Sequence, residues 1–581
     1  MPKPSPSTQT RRNSTGAKPR KTSISASATT LAKRHQWLFV FFILLLLALV
    51  WRIVFLQVTN KSFLQRQGDA RLLRTITLPA HRGQMHDRHG QALAISTPVD
   101  SVWVDPQQVI EAQQQWPQLM ELLGKDSKDL EQLLDTRMQR EFVYLQRHLN
   151  PQLAAQIDAL NIPGVYLQRE YRRYYPAAEV TAHVLGFTNI DDQGQEGLEL
   201  AFEQNLRGTT GKRRVMQDRK GQVIARLQEL EAAHAGQDLN LSLDRRLAYL
   251  AYRELRDAVV ENQAKGGSVV ILDVQTGEVL AMSNQPAYNP NNRNDLDSQK
   301  YRNRAVTDRF EPGSTIKPFT IAAALESGLH TADSRIQTGN GKFKIGRFNI
   351  HDGGAYGKID LRTILRKSSN VGAAKVALSL PGETLWNLFY YAGFGSSTGS
   401  IFPGETPGHL PYFADWNRVD QASLGFGYGL SVSLLQLARA YAAIANQGRL
   451  PVINFLAQNS KSSAPQSRLI MQSETAQELM TMLEAVVSPQ GTGKRAILEH
   501  YRVAGKTGTA RKTNHSGYVE DRYRALFVGI APASQPKIVI AIMLDEPGGK
   551  HYYGGQIAAP VFAKIAKTAL YWLNVPADKI K

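Results

Sequence analysis

The chain has 581 residues, 42% hydrophobic and 20% charged, with no cysteine and a formal net charge of +19. That length exceeds one ordinary core, so roughly two to four domains are expected, and the missing cysteine excludes a disulfide scaffold, a thiol nucleophile and a thiolate metal site. Nucleic acid is not the partner the charge implies: eight cations (Lys3, Arg11, Arg12, Lys18, Arg20, Lys21, Lys33 and Arg34) precede Trp37 without an acid, and the rest are spread with no basic–aromatic cluster, which suits an anionic membrane surface better. The first 36 residues, rich in Ser, Thr, Pro, Lys and Arg, read as a disordered tail. Behind them Trp37 to Trp51 is uninterruptedly apolar, followed by Arg52 and Ile53-Val-Phe-Leu56. These 15 residues fall short of the roughly 20 that span a bilayer, but Arg52 can snorkel, and 37–56 is long enough. A cleavable signal peptide is the rival reading; Gln57-Val-Thr-Asn-Lys61 lacks a small-x-small cleavage pattern, so an uncleaved signal-anchor is expected, with the tail cytoplasmic and everything after Leu56 outside.

From Gln57 to about Ala235 short strand patterns mix with polar, charged helices and little looks catalytic. His81, His86 and His89 invite a metal reading, but no ligand spacing on a helix supports it, and Asp87-Arg-His-Gly90 reads as a hairpin turn. Near Gly236 the pattern changes. A strand is expected over 238–243, a helix through Glu261, and a hairpin from Gly267–Asp273 and Gly277–Met282. Three short marks then appear in order: Ser314-Thr-Ile-Lys317, Ser368-Ser-Asn370 and Lys506-Thr-Gly-Thr509. Strands around Lys506, over 525–531 and over 538–544, complete the pattern of an antiparallel sheet flanked by helices.

A serine hydroxyl is a weak nucleophile at neutral pH and needs a base within hydrogen-bond reach; a lysine serves only as the neutral amine. Ser314 and Lys317 are one turn apart on one helix face, and the breaker Phe310-Glu-Pro-Gly313 places Ser314 near a helix N-terminus, where its backbone N–H can face a developing oxyanion. The second mark offers a hydroxyl and an amide for proton relay and substrate holding. The third offers a cation and hydroxyls beside Gly508, whose bare backbone lets a substrate approach on a strand edge. Each mark alone is weak: Ser534-Gln-Pro-Lys537 also matches Ser-x-x-Lys, and its proline makes it a loop accident. Together and in this order they describe a serine acyl-transfer site.

These marks, with Arg82-Gly83, Asp87-Arg88-x-Gly90, Glu196-Gly-Leu-Glu199, Phe310-Glu-Pro-Gly-Ser-Thr315, Gly427-Tyr-Gly-Leu430, Ala531-Pro-Ala-Ser-Gln-Pro536 and Tyr552-Tyr-Gly-Gly555, make the chain resemble class B penicillin-binding proteins of the division-specific peptidoglycan D,D-transpeptidase (FtsI) type. The likeness runs from the anchor nearly to the C-terminus. It implies an α/β, serine β-lactamase-like transpeptidase domain over 236–575, an elongated α+β non-catalytic pedestal of the dimerisation type over 57–235, a single transmembrane helix over 37–56 and a cytoplasmic tail over 1–36. By resemblance Ser314 attacks the penultimate D-alanine carbonyl of a stem peptide, Lys317 takes its proton, and Ser368 relays a proton to the leaving D-alanine with Lys506 tuning it. Asn370 holds the substrate amide, Thr507, Gly508 and Thr509 line the substrate, with the two threonines on its carboxylate, and the N–H groups of Ser314 and Thr509 form the oxyanion hole. The resemblance further implies no cofactor or metal, covalent capture by β-lactams, residence in the bacterial inner membrane at the division septum with a periplasmic catalytic domain, and partnership with a SEDS-type septal glycosyltransferase and other divisome proteins.

Other readings are weighed against this one. A serine β-lactamase needs a deacylation element; Glu383-Thr-Leu-Trp-Asn387 mimics one but lies in an amphipathic helix pattern only 15 residues after Ser368. A β-lactam sensor would carry further membrane spans and a His-Glu-x-x-His protease, and a bifunctional glycosyltransferase–transpeptidase an extra N-terminal catalytic domain. The elongation-type paralogue is the nearest competitor, against which Phe426-Gly-Tyr-Gly429 and the modest pedestal favour division.

Overall fold

The computed structural model describes residues 26–217, 223–292, 297–458, 467–514 and 517–579, so the basic tail as far as Ser25 lies outside the described residues. Two compact units emerge: one of residues 1–76 and 213–228, the other of residues 77–212 and 229–581. The first holds helix α1 (Ala26–Val54), which runs into a π-helical turn at Phe55–Thr59, and most of a three-stranded sheet in the order Leu73–Leu78, Gly211–Gln217, Val223–Glu231. Residues 33–59 form one helical stretch long and apolar enough to cross a membrane, and its large side chains are exposed, as lipid-facing groups would be.

The second unit begins with a hairpin of β1 (Met85–His86) and β2 (Ala92–Val104), turned by Asp87–Gly90 as its sequence predicts. Asp87 Oδ1 accepts the N–H groups of His89 and Gln91, and Gly90 takes φ +79°, the left-handed position a side chain resists. The long β2 pairs antiparallel with β3 (Val143–Leu149) and β4 (Val165–Tyr174). The three histidines do not converge: His81 meets the Ser96 carbonyl, whereas His89 meets Asp244.

The strand expected over 238–243 is shorter than its alternation suggests. Only β5 (Leu239–Asn240) pairs as a strand, parallel to β1. Beyond it Leu241 makes a single bridge to Leu456, and Asp244 turns its carboxylate onto the N–H groups of Arg246 and Leu247 to cap helix α2 (Arg245–Glu261). Capping ends the strand because those first helical N–H groups have no other partner.

Five antiparallel strands form the main sheet, in the order β7 (Val279–Gln285), β6 (Ala264–Asp273), β10 (Ile538–Pro547), β9 (Gly517–Ala531), β8 (Ala504–Asn514). Its central strands read as continuous apolar runs because both faces are covered. Along β10, Ile538, Ile540, Ile542 and Leu544 pack with α2 and the C-terminal helix Gly554–Trp572, whereas Val539, Ala541 and Met543 join the core beneath the nucleophile helix. Each such side chain contributes about 1.5–3 kcal/mol of burial. Gly529 in β9 is a glycine because Phe562 lies on it; an added Cβ would meet the ring at 2.3 Å. Edge strand β8 has a single neighbour, β9, and carries the third mark along the sheet's open side.

Candidate active site

Ser314 lies in a 3-10 turn, Gly313–Ile316, that leads directly into helix α3 (Lys317–Glu326). The turn is held from several sides. Gly313 adopts φ +52° and donates to the Gly427 carbonyl (3.0 Å), Thr315 Oγ1 bonds the Pro312 carbonyl (2.7 Å), and the buried Tyr441 hydroxyl reaches the Thr315 carbonyl (2.7 Å). Gly427 must be glycine: at φ +95° its Cβ would stand 2.0 Å from the Gly313 oxygen. Helix α3 is anchored by Phe319, which packs edge-on against Phe394 and Tyr441. The half-buried Ser314 hydroxyl makes no hydrogen bond among the described residues.

Lys317 is fully buried at the start of α3. Its Nζ donates to the Ser368 carbonyl (2.6 Å), the Ser368 hydroxyl (3.2 Å) and Asn370 Oδ1 (2.7 Å). Lys506, equally buried on β8, donates to the same Ser368 hydroxyl (2.9 Å) and to the Thr507 carbonyl (3.0 Å). Two lysine amines thus meet on one oxygen, and among the described residues no carboxylate pairs with either. Burial, reinforced by the nearby Lys506, holds the Lys317 ammonium well below its usual value, with Asp352 opposing weakly. Burial pushes Lys506 down to about 7. Lys506 is thereby set to gain and lose a proton near neutrality, and burial beside it favours the neutral amine of Lys317.

Ser368 sits where helix α4 (Leu361–Lys367) ends, in the left-handed region at φ +57°. Ser369 then caps helix α5 (Asn370–Ser379) by accepting from Gly372 N–H, and its own hydroxyl donates to Asp352 Oδ2 (2.5 Å). Asp352 Oδ1 also accepts from Val371 N–H, and Asn370 Nδ2 donates to the His351 carbonyl (3.0 Å). Asp352 is the residue that seats the second mark. Nothing in the spacing of His351-Asp-Gly-Gly354 announces a partner 17 residues on.

On β8, Thr509 Oγ1 accepts the N–H of Gly554 (3.1 Å), which leaves its hydroxyl proton available to another acceptor. Thr507 Oγ1 shares a proton with Thr492 (2.9 Å). At Gly508 the space a side chain would fill is taken by the Thr315 methyl, 2.8 Å from an ideal Cβ, so its bareness seats the nucleophile turn against β8. Glu311, three residues before the serine, is a further residue the motifs hide. Its Oε1 accepts from Gly429 N–H (2.9 Å) and the Tyr518 hydroxyl (3.2 Å), tying the turn to the loop at Gly429 and to the start of β9, and burial raises its carboxyl. The decoys stay apart from this constellation: Ser534–Lys537 is a loop with Lys537 paired to Asp273 (2.8 Å), and Glu383 lies in the helix Gly382–Tyr391.

Residues 267–567 match the penicillin binding protein transpeptidase domain family, and residues 77–241 the penicillin-binding protein dimerisation domain family. The chain is 41% identical over 535 residues to the probable peptidoglycan D,D-transpeptidase PenA of Neisseria meningitidis, covering 91% of each chain. To the peptidoglycan D,D-transpeptidase FtsI of Escherichia coli it is 40% identical over 544 residues, 93% of this chain and 92% of that one. Among solved structures, the transpeptidase domain of Burkholderia pseudomallei penicillin-binding protein 3 shares 42% identity at a TM-score of 0.54, covering 58% of this chain and 98% of its own. Penicillin-binding protein 3 of Mycobacterium tuberculosis in complex with aztreonam shares 28% identity at a TM-score of 0.67, covering 87% and 98%.

Proposed function

Since this chain belongs to the penicillin-binding transpeptidase family, we propose that it is a peptidoglycan D,D-transpeptidase that cross-links stem peptides during septum formation through a serine acyl-enzyme. The observation that carries this reading is the convergence of two buried, uncompensated lysines on the Ser368 hydroxyl, one of them the first residue of the helix that the Ser314 turn leads into.

In this reading Ser314 Oγ attacks the penultimate D-alanine carbonyl while the neutral Lys317 amine takes its proton. The tetrahedral oxyanion is received by the N–H groups of Ser314 and Thr509. Collapse breaks the amide bond, and the proton passes through the Ser368 hydroxyl to the departing D-alanine nitrogen; Lys506 sets that hydroxyl's acidity and adds positive field. Thr509, with its proton free, and Thr507 bind the terminal D-alanine carboxylate. Asn370 holds the peptide amide. An amine from a neighbouring stem then attacks the ester, gives its proton to the same lysine relay and frees Ser314. One peptide bond replaces another, so the residues named are sufficient for the proton and bond bookkeeping. A β-lactam enters as a mimic of the D-alanyl-D-alanine end and remains as an acyl-enzyme.

The apolar helix at 33–59 supports membrane attachment. The basic tail before it supports a cytoplasmic N-terminus and a periplasmic catalytic domain over 236–575, carried on the pedestal over 57–235. Residence at the septum and association with a SEDS-type glycosyltransferase and other divisome proteins complete the proposal. Fluorescent penicillin is expected to label the protein covalently and Ser314→Ala to abolish labelling; a Ser314→Ala protein that still labels sinks the site. Depletion is expected to give undivided filaments, whereas round cells would assign the chain to elongation.

A further inference from the structure

Residues 335–360 form an excursion between helices α3 and α4 that carries two small sheets: Arg335–Gly339 with Gly357–Asp360, and a hairpin of Lys342–Ile345 with Phe348–His351. The hairpin has two unlike faces. Phe343, Ile345 and Ile350 are half-buried on one, with the Lys375 ammonium 4.9 Å from the Phe343 ring. The register Lys342↔His351 and Lys344↔Asn349 puts these four residues on the other face, all exposed, and Arg347 stands exposed at the tip. The excursion holds five cations (Arg335, Lys342, Lys344, Arg347 and Lys358) against two carboxylates. Both carboxylates are engaged at helix starts: Asp352 on Ser369 and Val371, Asp360 on Thr363. Lys342, Lys344 and Arg347 have no acidic partner among the described residues. Charge that reads along the sequence as evenly spread is concentrated here.

This basic face is fastened to the reaction centre. The last residue of the hairpin, His351, offers its carbonyl to Asn370 Nδ2 (3.0 Å), and the next residue seats Ser369. We propose that the outer face of the Lys342–His351 hairpin is a docking site for the anionic peptidoglycan strand itself, its cations meeting the carboxylates of stem peptides that flank the one entering the cleft. The inference rests on the transpeptidase reading. A strand of uncross-linked stems repeats a terminal carboxylate at every stem, so a row of unpaired cations beside the cleft complements the polymer and is of no use to a single peptide or a β-lactam. Such a face raises the local concentration of substrate and is weakened by salt.

The test uses the full-length protein in detergent and isolated uncross-linked peptidoglycan strands. K342E/K344E/R347E, with K342Q/K344Q/R347Q as the neutral companion, is compared with the parent for strand retention and for the rate of acylation by benzylpenicillin. Expected is retention about tenfold or more weaker at low salt for the charge reversal, intermediate for the neutral variant, and acylation within about twofold of the parent for both. Amidating the strand carboxylates should erase the difference between parent and variants. Equal retention of parent and charge-reversed protein overturns the proposal and leaves an acidic protein as the better candidate for this face. Retention and acylation that fall together also overturn it, the hairpin then serving only to hold Ser369 and Asn370. Failure of the underlying catalytic reading is separate: the parent itself would not be acylated.

Discussion

Two of the clusters of buried charge in the second unit are treated in opposite ways. Around Glu199, one carboxylate receives Arg82 (2.7 Å) and Arg173 (2.6 Å), Glu203 takes a further bond from Arg82 (2.7 Å), and the Tyr175 hydroxyl leans on the same centre. Arg82, Arg173 and Glu199 are almost wholly inaccessible, but opposite charges cancel there; burial alone would lower the Arg82 value, and the glutamates raise it instead. At the reaction centre Lys317 and Lys506 are equally buried and meet hydroxyl, amide and carbonyl oxygens only. Cancelled charge gives a fixed joint between residues 117 apart in the chain. Burial without a counter-charge lowers the proton affinity of both lysines and brings Lys506 down to about 7.

Removing a member of each cluster separates the two. Lys317→Met is expected to slow acylation by a β-lactam on the order of a thousandfold while leaving stability within about 2 kcal/mol of the parent, read by stopped-flow labelling and thermal unfolding. Glu199→Ala is expected to do the reverse, costing about 3–5 kcal/mol because two buried guanidiniums lose their carboxylate, with acylation of the folded protein little changed. Acylation lost with stability intact in Glu199→Ala would break the contrast.

The contrast also has a pH signature. Lys506 titrates at about 7 when folded, against 10.5 for an ordinary lysine. Between those values the unfolded chain holds the additional proton, so stability should rise as pH climbs from about 7 towards 10.5 and be least below 7. Lys506→Met should flatten that rise in a series of unfolding curves, and parent acylation should show an acid limb belonging to the lysine pair rather than to either residue. Asp352→Asn is expected to slow acylation about tenfold, since Ser369 loses an ionised acceptor while the fold keeps a similar shape. Glu311→Gln should have the smallest effect, about threefold or less, because an amide oxygen still accepts from Gly429 and Tyr518.

The residues of the candidate site were legible in the chain because their pattern is local: a serine and a lysine one turn apart, a hydroxyl followed by an amide, a lysine among glycines on an edge strand. The hairpins at 85–94 and 264–285 and the helix at 245–261 were legible for the same reason, since turn residues, caps and alternation act over a few positions. What supports them was not. Asp352 and Glu311 bond across the fold, and Glu199 finds Arg82 only after two segments meet. The strand at 238–243 failed for a related reason: its alternation is real, yet the demand of the α2 N–H groups for a cap takes Asp244 out of the sheet. That Gly508 also makes room for the Thr315 methyl was not legible, because a sequence shows a missing side chain and not what fills the gap.

Gly313 and Gly427 touch backbone to backbone behind the serine, with no room for a methyl group between them. A side chain at Gly427 would therefore push the Gly313 backbone aside and move the turn that carries Ser314, so this contact fixes the position of the serine with no side chain of its own.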